Sequence, residues 1–160
     1  MVDILLLQTV SIAIASASVV AGVVYYALQL RNQTKIRKTD LLVRLYSTMS
    51  TKDWLEAWEK FRDREILDYD EYKEKYGLVE FNEVFLFFDQ VGSLLQKGLI
   101  DIDLVPFRAG QVEITWEKMK PMIEGARKRF NEPEFGYDAE YLANEMKKRE
   151  QQLQAGAKNG

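Results

Sequence analysis

The apolar positions of this chain form one long uninterrupted stretch near the N-terminus and shorter, helically spaced stretches after it. The long stretch, residues 4–30, contains no Lys, Arg, Asp, Glu or Pro. As a helix rising about 1.5 Å per residue, it would be longer than the ~30 Å hydrocarbon layer of a bilayer. The pattern therefore predicts a transmembrane helix over residues 4–30, preceded by a short N-terminus of residues 1–3.

A cleavable signal peptide is the alternative interpretation of the same stretch. Signal peptides have a basic start, a short apolar core and small residues at the cleavage site. Residues 13–18 (AIASAS) resemble such a site, but the start is Met-Val-Asp and the apolar run continues past it to Leu28. We therefore expect an anchor that is retained.

The rest of the chain has the spacing of amphipathic helices. No Gly or Pro occurs between residues 23 and 76, so a basic juxtamembrane helical stalk is expected over residues 31–50. Apolar residues recurring at three and four positions then predict helices over about 52–66, 70–77, 81–97 and 111–130.

A short helix capped by Asp101 or Asp103 and a last helix capped by Asp138 complete the prediction. The fold class is therefore all-α, with one N-terminal transmembrane helix followed by a small cytoplasmic bundle of about five helices. An acidic helical domain is expected over residues 51–150. Residues 151–160 are polar and small, and we expect a disordered tail there.

Aromatic residues recur along one face of the second helix, where Trp54, Trp58 and Phe61 lie one above another. They could cover a ligand, but such stripes at helical spacing are typical of a core, because each ring buries a large apolar area. The predicted structural core comprises Trp54, Trp58, Phe61, Phe85, Phe88, Trp116 and Ile123.

Charge is distributed unevenly. Residues 31–52 contain six basic residues and one acid, whereas residues 53–150 contain 23 acids and 15 basic residues, a net charge of −8. Basic residues directly after the span predict that the C-terminal domain is cytoplasmic and the N-terminus outside, in a single-pass protein of the cell membrane. Lipid headgroups could bind to the basic residues, namely Arg31, Lys35, Arg37 and Lys38. An acidic domain argues against nucleic acid as a partner.

Small residues within the span suggest contact between helices. Ala13, Ala17 and Ala21 recur every four residues, and Ser18 and Gly22 form a second small pair. Small residues at this spacing let two helices approach closely in lipid. The expected partners are therefore membrane lipid and either a second copy of the chain or another membrane protein. The alternative is that small residues are simply common in such helices.

The chemistry available to the chain is restricted, because it contains no Cys and no His. This excludes disulfides, thiolate nucleophiles, Cys/His zinc sites and histidine acid–base catalysis. Asp89, at the border of an apolar face, could be a partly buried carboxylate with a raised pKa, but we favour a boundary residue that is exposed or paired with a neighbouring base. Glu113 and Glu117 could bind a metal but are more typical of a solvated face, and Asp101 and Asp103 lack the other ligands of a calcium loop. We predict no catalytic, cofactor-binding or metal residues.

The order of several short motifs resembles that of a known family. These motifs are FFDQVG (87–92), GLID (98–101), WEKMKPMI (116–123), Arg127 with Arg129, and EYLA (140–143). Over roughly residues 41–146 the chain resembles a family of small prokaryotic single-span membrane proteins whose all-helical cytoplasmic domain has no known function. The family often has Glu where this chain has Asp89. The resemblance implies an all-helical domain and no particular catalytic residue.

Three functions are consistent with these patterns. The first is a non-enzymatic, membrane-anchored interaction module that serves as a scaffold or accessory subunit. The second is a sensor of anionic lipid that uses the basic residues. The third is a membrane-tethered enzyme that uses carboxylates, with Asp89, Glu117 and the tryptophans lining one pocket; the chain lacks a phosphate-binding loop or nucleophile motif for it.

Overall fold

Helices account for nearly all of the regular structure in residues 4–158, which the computed structural model describes, and no strand occurs in that range. This confirms the all-α fold class, whereas the predicted outside N-terminus, residues 1–3, lies outside the described range. The helices are α1 (Ile4–Met49), α2 (Lys52–Asp63), α3 (Tyr69–Tyr76), α4 (Val79–Gln96), α5 (Ala109–Phe130) and α6 (Tyr137–Lys158), with a 3-10 helix over Ile102–Leu104.

The chain divides into two units, residues 1–40 and residues 41–160. The described part of the first unit is helical throughout and belongs to α1. The second unit contains the end of α1 and the five helices α2–α6. We call these the anchor unit and the helical domain.

Helix ends in the domain follow local capping chemistry. The Thr51 hydroxyl accepts a hydrogen bond from the Trp54 N–H at 3.3 Å, and the Asp68 carboxylate accepts one from the Glu71 N–H at 3.0 Å. Helix α3 therefore begins one residue before the predicted Asp70 and ends at Gly77, whose φ of 77° is readily adopted by glycine. Helix α2 is shorter than predicted, because Arg64 is already extended.

The core of the domain is built around α4, which packs against α2 and α6, while α5 packs against α3 and α6. All but one of the residues predicted for the core are buried, and Trp58 is half-buried and packs against them. Aromatic rings meet between α2 and α4: the ring centroids of Trp54 and Phe87 are 5.4 Å apart, and those of Trp58 and Phe88 are 5.8 Å apart. Such ring pairs stabilise packing beyond the area that they bury.

The last helix differs from the prediction at both ends. Helix α6 begins at Tyr137, so Asp138 lies in its first turn instead of capping it. The helix also continues to Lys158, through most of the predicted disordered tail. Gln, Leu and Ala are good helix formers, and no Pro occurs after residue 133 to end the helix.

Candidate membrane anchor and surface clefts

The anchor unit exposes its apolar side chains. From Ile4 to Arg37, every side chain whose burial is described is exposed, including Val19 at 67% and Tyr25 at 68%. A helix that is apolar on all sides is normally buried, in a large core or in a membrane. Within the described residues, α1 is the one helix long and apolar enough to span a membrane, and its length of 46 residues exceeds the requirement of about 20.

The small residues of the span lie open in the single chain. A Cβ atom added at Gly22 would meet no atom within 4 Å. The Ser18 hydroxyl donates to the Ile14 carbonyl at 2.8 Å, so its hydrogen bond is made inside the helix. The face formed by Ala13, Ala17 and Ala21 with this pair is therefore available to another helix.

The basic segment continues the same helix without a break. Arg31, Lys35 and Arg37 are exposed, whereas Lys38 is half-buried and already takes part in an interaction within the chain. The Thr34 hydroxyl donates to the Leu30 carbonyl at 3.0 Å, so this polar residue is accommodated inside the helix. Three of the four predicted headgroup residues are thus exposed.

Asp89 has a structural partner that its position on the helical wheel did not reveal. Its carboxylate accepts a hydrogen bond at 3.1 Å from the N–H of Ala139, in the first turn of α6. Helix α4 therefore caps α6 through a side chain fifty residues away. Burial raises the pKa of Asp89 and the nearby Asp138 carboxylate raises it further, while the Ala139 N–H partly offsets both.

Gly92, one turn after Asp89, is a second residue of the motif at residues 87–92 that lies against α6. A Cβ atom at this position would lie 1.9 Å from the carbonyl oxygen of Asp138. Only glycine allows the backbone of α6 to approach α4 this closely. Asp89 and Gly92 thus attach the start of α6 to α4.

The loop between α5 and α6 is attached by one arginine. The Nε of Arg127 donates to the Phe135 carbonyl and its Nη2 to the Glu140 carboxylate, both at 2.8 Å. The sequence motifs included Arg127 and Glu140, but their spacing of 13 residues gave no sign that they pair. Arg129 likewise pairs with Asp70 on α3.

The carboxylates considered for catalysis lie in different clefts. Asp89 lines a cleft of about 450 Å³ with Glu134 and Tyr137. Glu113 and Glu117 line another of about 170 Å³ with Trp116. Glu113 is paired with Lys147 at 3.0 Å. Within residues 4–158, no group of three or more metal-binding side chains is close enough to hold an ion.

A third cleft, of about 330 Å³, is lined by Trp58 and Lys118 among other residues. Trp58 therefore lines a different cleft from Asp89 and from Glu117, whereas the enzyme hypothesis placed them in one pocket. Lys118 was not singled out in the sequence, where it is one of several charged residues along α5. Its ammonium donates to the Arg62 carbonyl in the last turn of α2.

Comparison with protein families found a match. A family model described as a domain of unknown function, DUF4760, matches residues 13–146. Neither the curated proteins nor the solved structures gave a match. The matched range contains part of the apolar stretch and most of the helical domain.

Proposed function

The chain belongs to the DUF4760 family, whose function is unknown, and we propose that it is a membrane-anchored, non-enzymatic interaction module. In this role it serves as a scaffold or an accessory subunit of a membrane complex. The observation that carries the proposal is the uncharged helix over residues 4–30, in which every side chain whose burial is described is exposed, since water is a poor solvent for such a surface. A membrane supplies the apolar surroundings that the rest of the chain does not provide for this helix.

The anchor is proposed to cross the cell membrane once. Arg31, Lys35 and Arg37 follow the apolar residues, and by the positive-inside bias they favour a cytoplasmic helical domain. Tyr25 and Tyr26 near the same end would lie at the interface, where a ring with a polar tip is stable. Residues 31–50 then form the stalk and residues 51–150 the cytoplasmic domain.

Association is proposed to occur through the span. The two sets of small residues in the span would let a second helix approach closely, and no atom of the described chain covers Gly22. The partner is a second copy of this chain or the span of another membrane protein.

The clefts of the helical domain favour a non-enzymatic role. A carboxylate-dependent enzyme would need its acids close together, yet Asp89 and Glu117 line separate clefts. Asp89 also has a structural partner in Ala139. An enzymatic role for these residues therefore has no geometric support.

Native mass spectrometry of the full chain, extracted gently from its own membrane, tests this function. We expect a homo-oligomer or a complex with a partner that Gly22→Leu dissociates, because leucine would hold the helices apart. Val23→Phe adds bulk about 100° around the helix from Gly22, opposite the middle of the small-residue face, and should leave the complex intact. A wild-type protein that is monomeric and partner-free, or a complex unchanged by Gly22→Leu, would contradict association through the span.

A sensor of anionic lipid is the second candidate, favoured by the exposure of Arg31, Lys35 and Arg37. Each basic residue near an anionic surface contributes about 1 kcal/mol to binding. Mass spectrometry of the chain in nanodiscs should then show anionic lipids retained by the wild type. They should be lost from a variant that combines Arg31→Gln, Lys35→Gln and Arg37→Gln. Equal retention by both proteins would exclude this role.

A further inference from the structure

The cleft between α2 and α5 has the size and lining of a small-molecule site. Its apolar surface comes from Trp58, Phe61, Ile66 and Ile114. Ile66 and Ile114 are 60% and 70% exposed, so the apolar lining is open to a ligand. The volume of about 330 Å³ is at the lower end of the range for ligand sites, roughly 300–1,000 Å³. A ligand of this cleft is therefore small and partly apolar.

Two cations, Lys118 and Arg62, also line this cleft. The Lys118 ammonium is 5.7 Å from the centroid of the Phe61 ring and donates one hydrogen bond, to the Arg62 carbonyl. A lysine has three N–H donors, so two remain. Burial lowers the pKa of Lys118, and the nearby Asp63 carboxylate partly offsets this. No carboxylate of the described residues forms an ion pair with it, in contrast to Arg62, which contacts both Glu59 and Asp63.

A second donor lies on the same side of α5. Gln111 and Lys118 are seven residues apart, which places them on one face of the helix. The side-chain oxygen of Gln111 accepts from the Arg108 N–H at 3.1 Å. Its NH₂ group makes no hydrogen bond to any residue in the described range. The α5 side of the cleft thus offers N–H donors on either side of Ile114, and the α2 side offers the rings of Trp58 and Phe61.

From this arrangement we propose that the cleft binds a small molecule that has one carboxylate and an aromatic body. Lys118 binds the carboxylate, and the ring packs against Trp58, Phe61 and Ile114. Charge complementarity favours an anion, because the cleft is lined by two cations. Arg62 is paired with Glu59 and Asp63, whereas Lys118 forms no ion pair with a carboxylate of the described residues. The site lies wholly within the helical domain and does not depend on the proposed membrane role.

Lys118 also has a structural contribution that the test must separate from ligand binding. A cation near the last turn of a helix stabilises its unpaired carbonyls, and Lys118 does this for α2. A structural role alone would give the cleft no preference among ligands of different charge. Charge selectivity is therefore the decisive readout.

The test is calorimetric titration of the full chain in nanodiscs with 3-phenylpropionate, and with the alcohol and the amine that have the same body. Empty nanodiscs are titrated in parallel to subtract partitioning into lipid. We expect saturable binding of the carboxylate, at least about tenfold weaker binding of the alcohol, and none of the amine. Equal affinities for carboxylate and alcohol, or no saturable binding at millimolar concentration, would overturn the proposal.

Variants locate the binding within the cleft. Lys118→Gln should reduce the affinity for the carboxylate to that for the alcohol, whereas Lys120→Gln on the same helix, outside the cleft lining, should change nothing. Ile114→Glu adds a repelling carboxylate at an exposed position and should abolish carboxylate binding. Because it leaves Lys118 in place, it tests the site independently of any effect that Lys118→Gln has on α2. Wild-type affinity in Ile114→Glu, or a loss in Lys120→Gln as large as that in Lys118→Gln, would refute this assignment.

Discussion

The anchor unit and the helical domain treat apolar side chains in opposite ways. In the domain, Leu142 and Met119 are completely buried, whereas in the anchor Val19 and Tyr25 are about two-thirds exposed. The same hydrophobic effect acts on both, at about 25 cal/mol for each Å² removed from water. The domain buries its apolar side chains against its own residues. The anchor does not, and this difference is the physical basis for assigning it to a membrane.

The largest expected effect comes from adding one methyl group at Gly92 in the domain. Gly92→Ala would place a Cβ 1.9 Å from the Asp138 carbonyl oxygen, so α6 must move away from α4. We expect a loss of about 3 kcal/mol or more in the free energy of unfolding. All three tryptophans lie in the domain, so their fluorescence during denaturant unfolding measures this directly.

Gly22→Ala is the matched control in the anchor, because its Cβ would meet nothing within 4 Å. Its unfolding curve by tryptophan fluorescence should coincide with that of the wild type. If Gly92→Ala were as stable as Gly22→Ala, the described contact between α4 and α6 would be incorrect.

A charge in the anchor should have the converse effect. Val19→Arg places a guanidinium near the middle of the apolar stretch, which costs about 2.5–3.5 kcal/mol for insertion into a bilayer. We expect a smaller fraction of the protein in carbonate-washed membranes and no change in domain unfolding. An unchanged membrane fraction would indicate that this stretch does not reside in lipid.

Asp89 allows a smaller and more selective test within the domain. Asp89→Ala removes the acceptor for the Ala139 N–H, while Asp89→Asn retains an oxygen that can accept it. The Asn variant should therefore be more stable than the Ala variant by about 1 kcal/mol, as for other helix caps. Denaturant unfolding of both variants at neutral pH measures the difference, and equal stabilities would show that the cap does not contribute.

The same carboxylate predicts a dependence on pH. Its pKa in the folded state is raised above the ordinary value of 3.8 by burial, so protonation favours the folded state. The contribution of Asp89 is greatest below pH 3.8 and is lost as the pH rises through the folded-state pKa. The stability of Asp89→Asn relative to the wild type should thus increase from acidic to neutral pH. A relative stability that decreases would show that the carboxylate is stabilised in its charged form.

The smallest effect is expected at the surface of the domain. Glu113 and Lys147 are paired at 3.0 Å, but both side chains are about half exposed. Exposed ion pairs contribute about 0–1 kcal/mol. Glu113→Gln should therefore change the free energy of unfolding by less than about 0.5 kcal/mol, measured by the same fluorescence assay. A loss comparable to that of Gly92→Ala would mean that this cleft has a role beyond a solvated face.

Local features of the fold were accessible from the sequence, and long-range ones were not. Thr51 before α2 and Gly77 after α3 act through neighbours within four residues, so their roles follow from residue type and spacing. The bond from Ala139 to Asp89 and the one from Lys118 to the Arg62 carbonyl connect residues fifty or more positions apart. Periodicity identifies the face of a helix but not its partner, and for this reason the cleft at Lys118 became visible only in the structure.

The most direct test of the membrane anchor is cysteine accessibility in intact cells, followed on the purified chain, which has no Cys of its own to be labelled. Single cysteines at Asp3, Val19 and Asn82 are treated with a membrane-impermeant maleimide before and after permeabilisation. For a membrane anchor with its N-terminus outside, we expect labelling of Asp3→Cys in intact cells, of Asn82→Cys only after permeabilisation, and of Val19→Cys in neither condition. Labelling of Val19→Cys as readily as Asn82→Cys would show that the apolar helix lies in water and would contradict the membrane anchor.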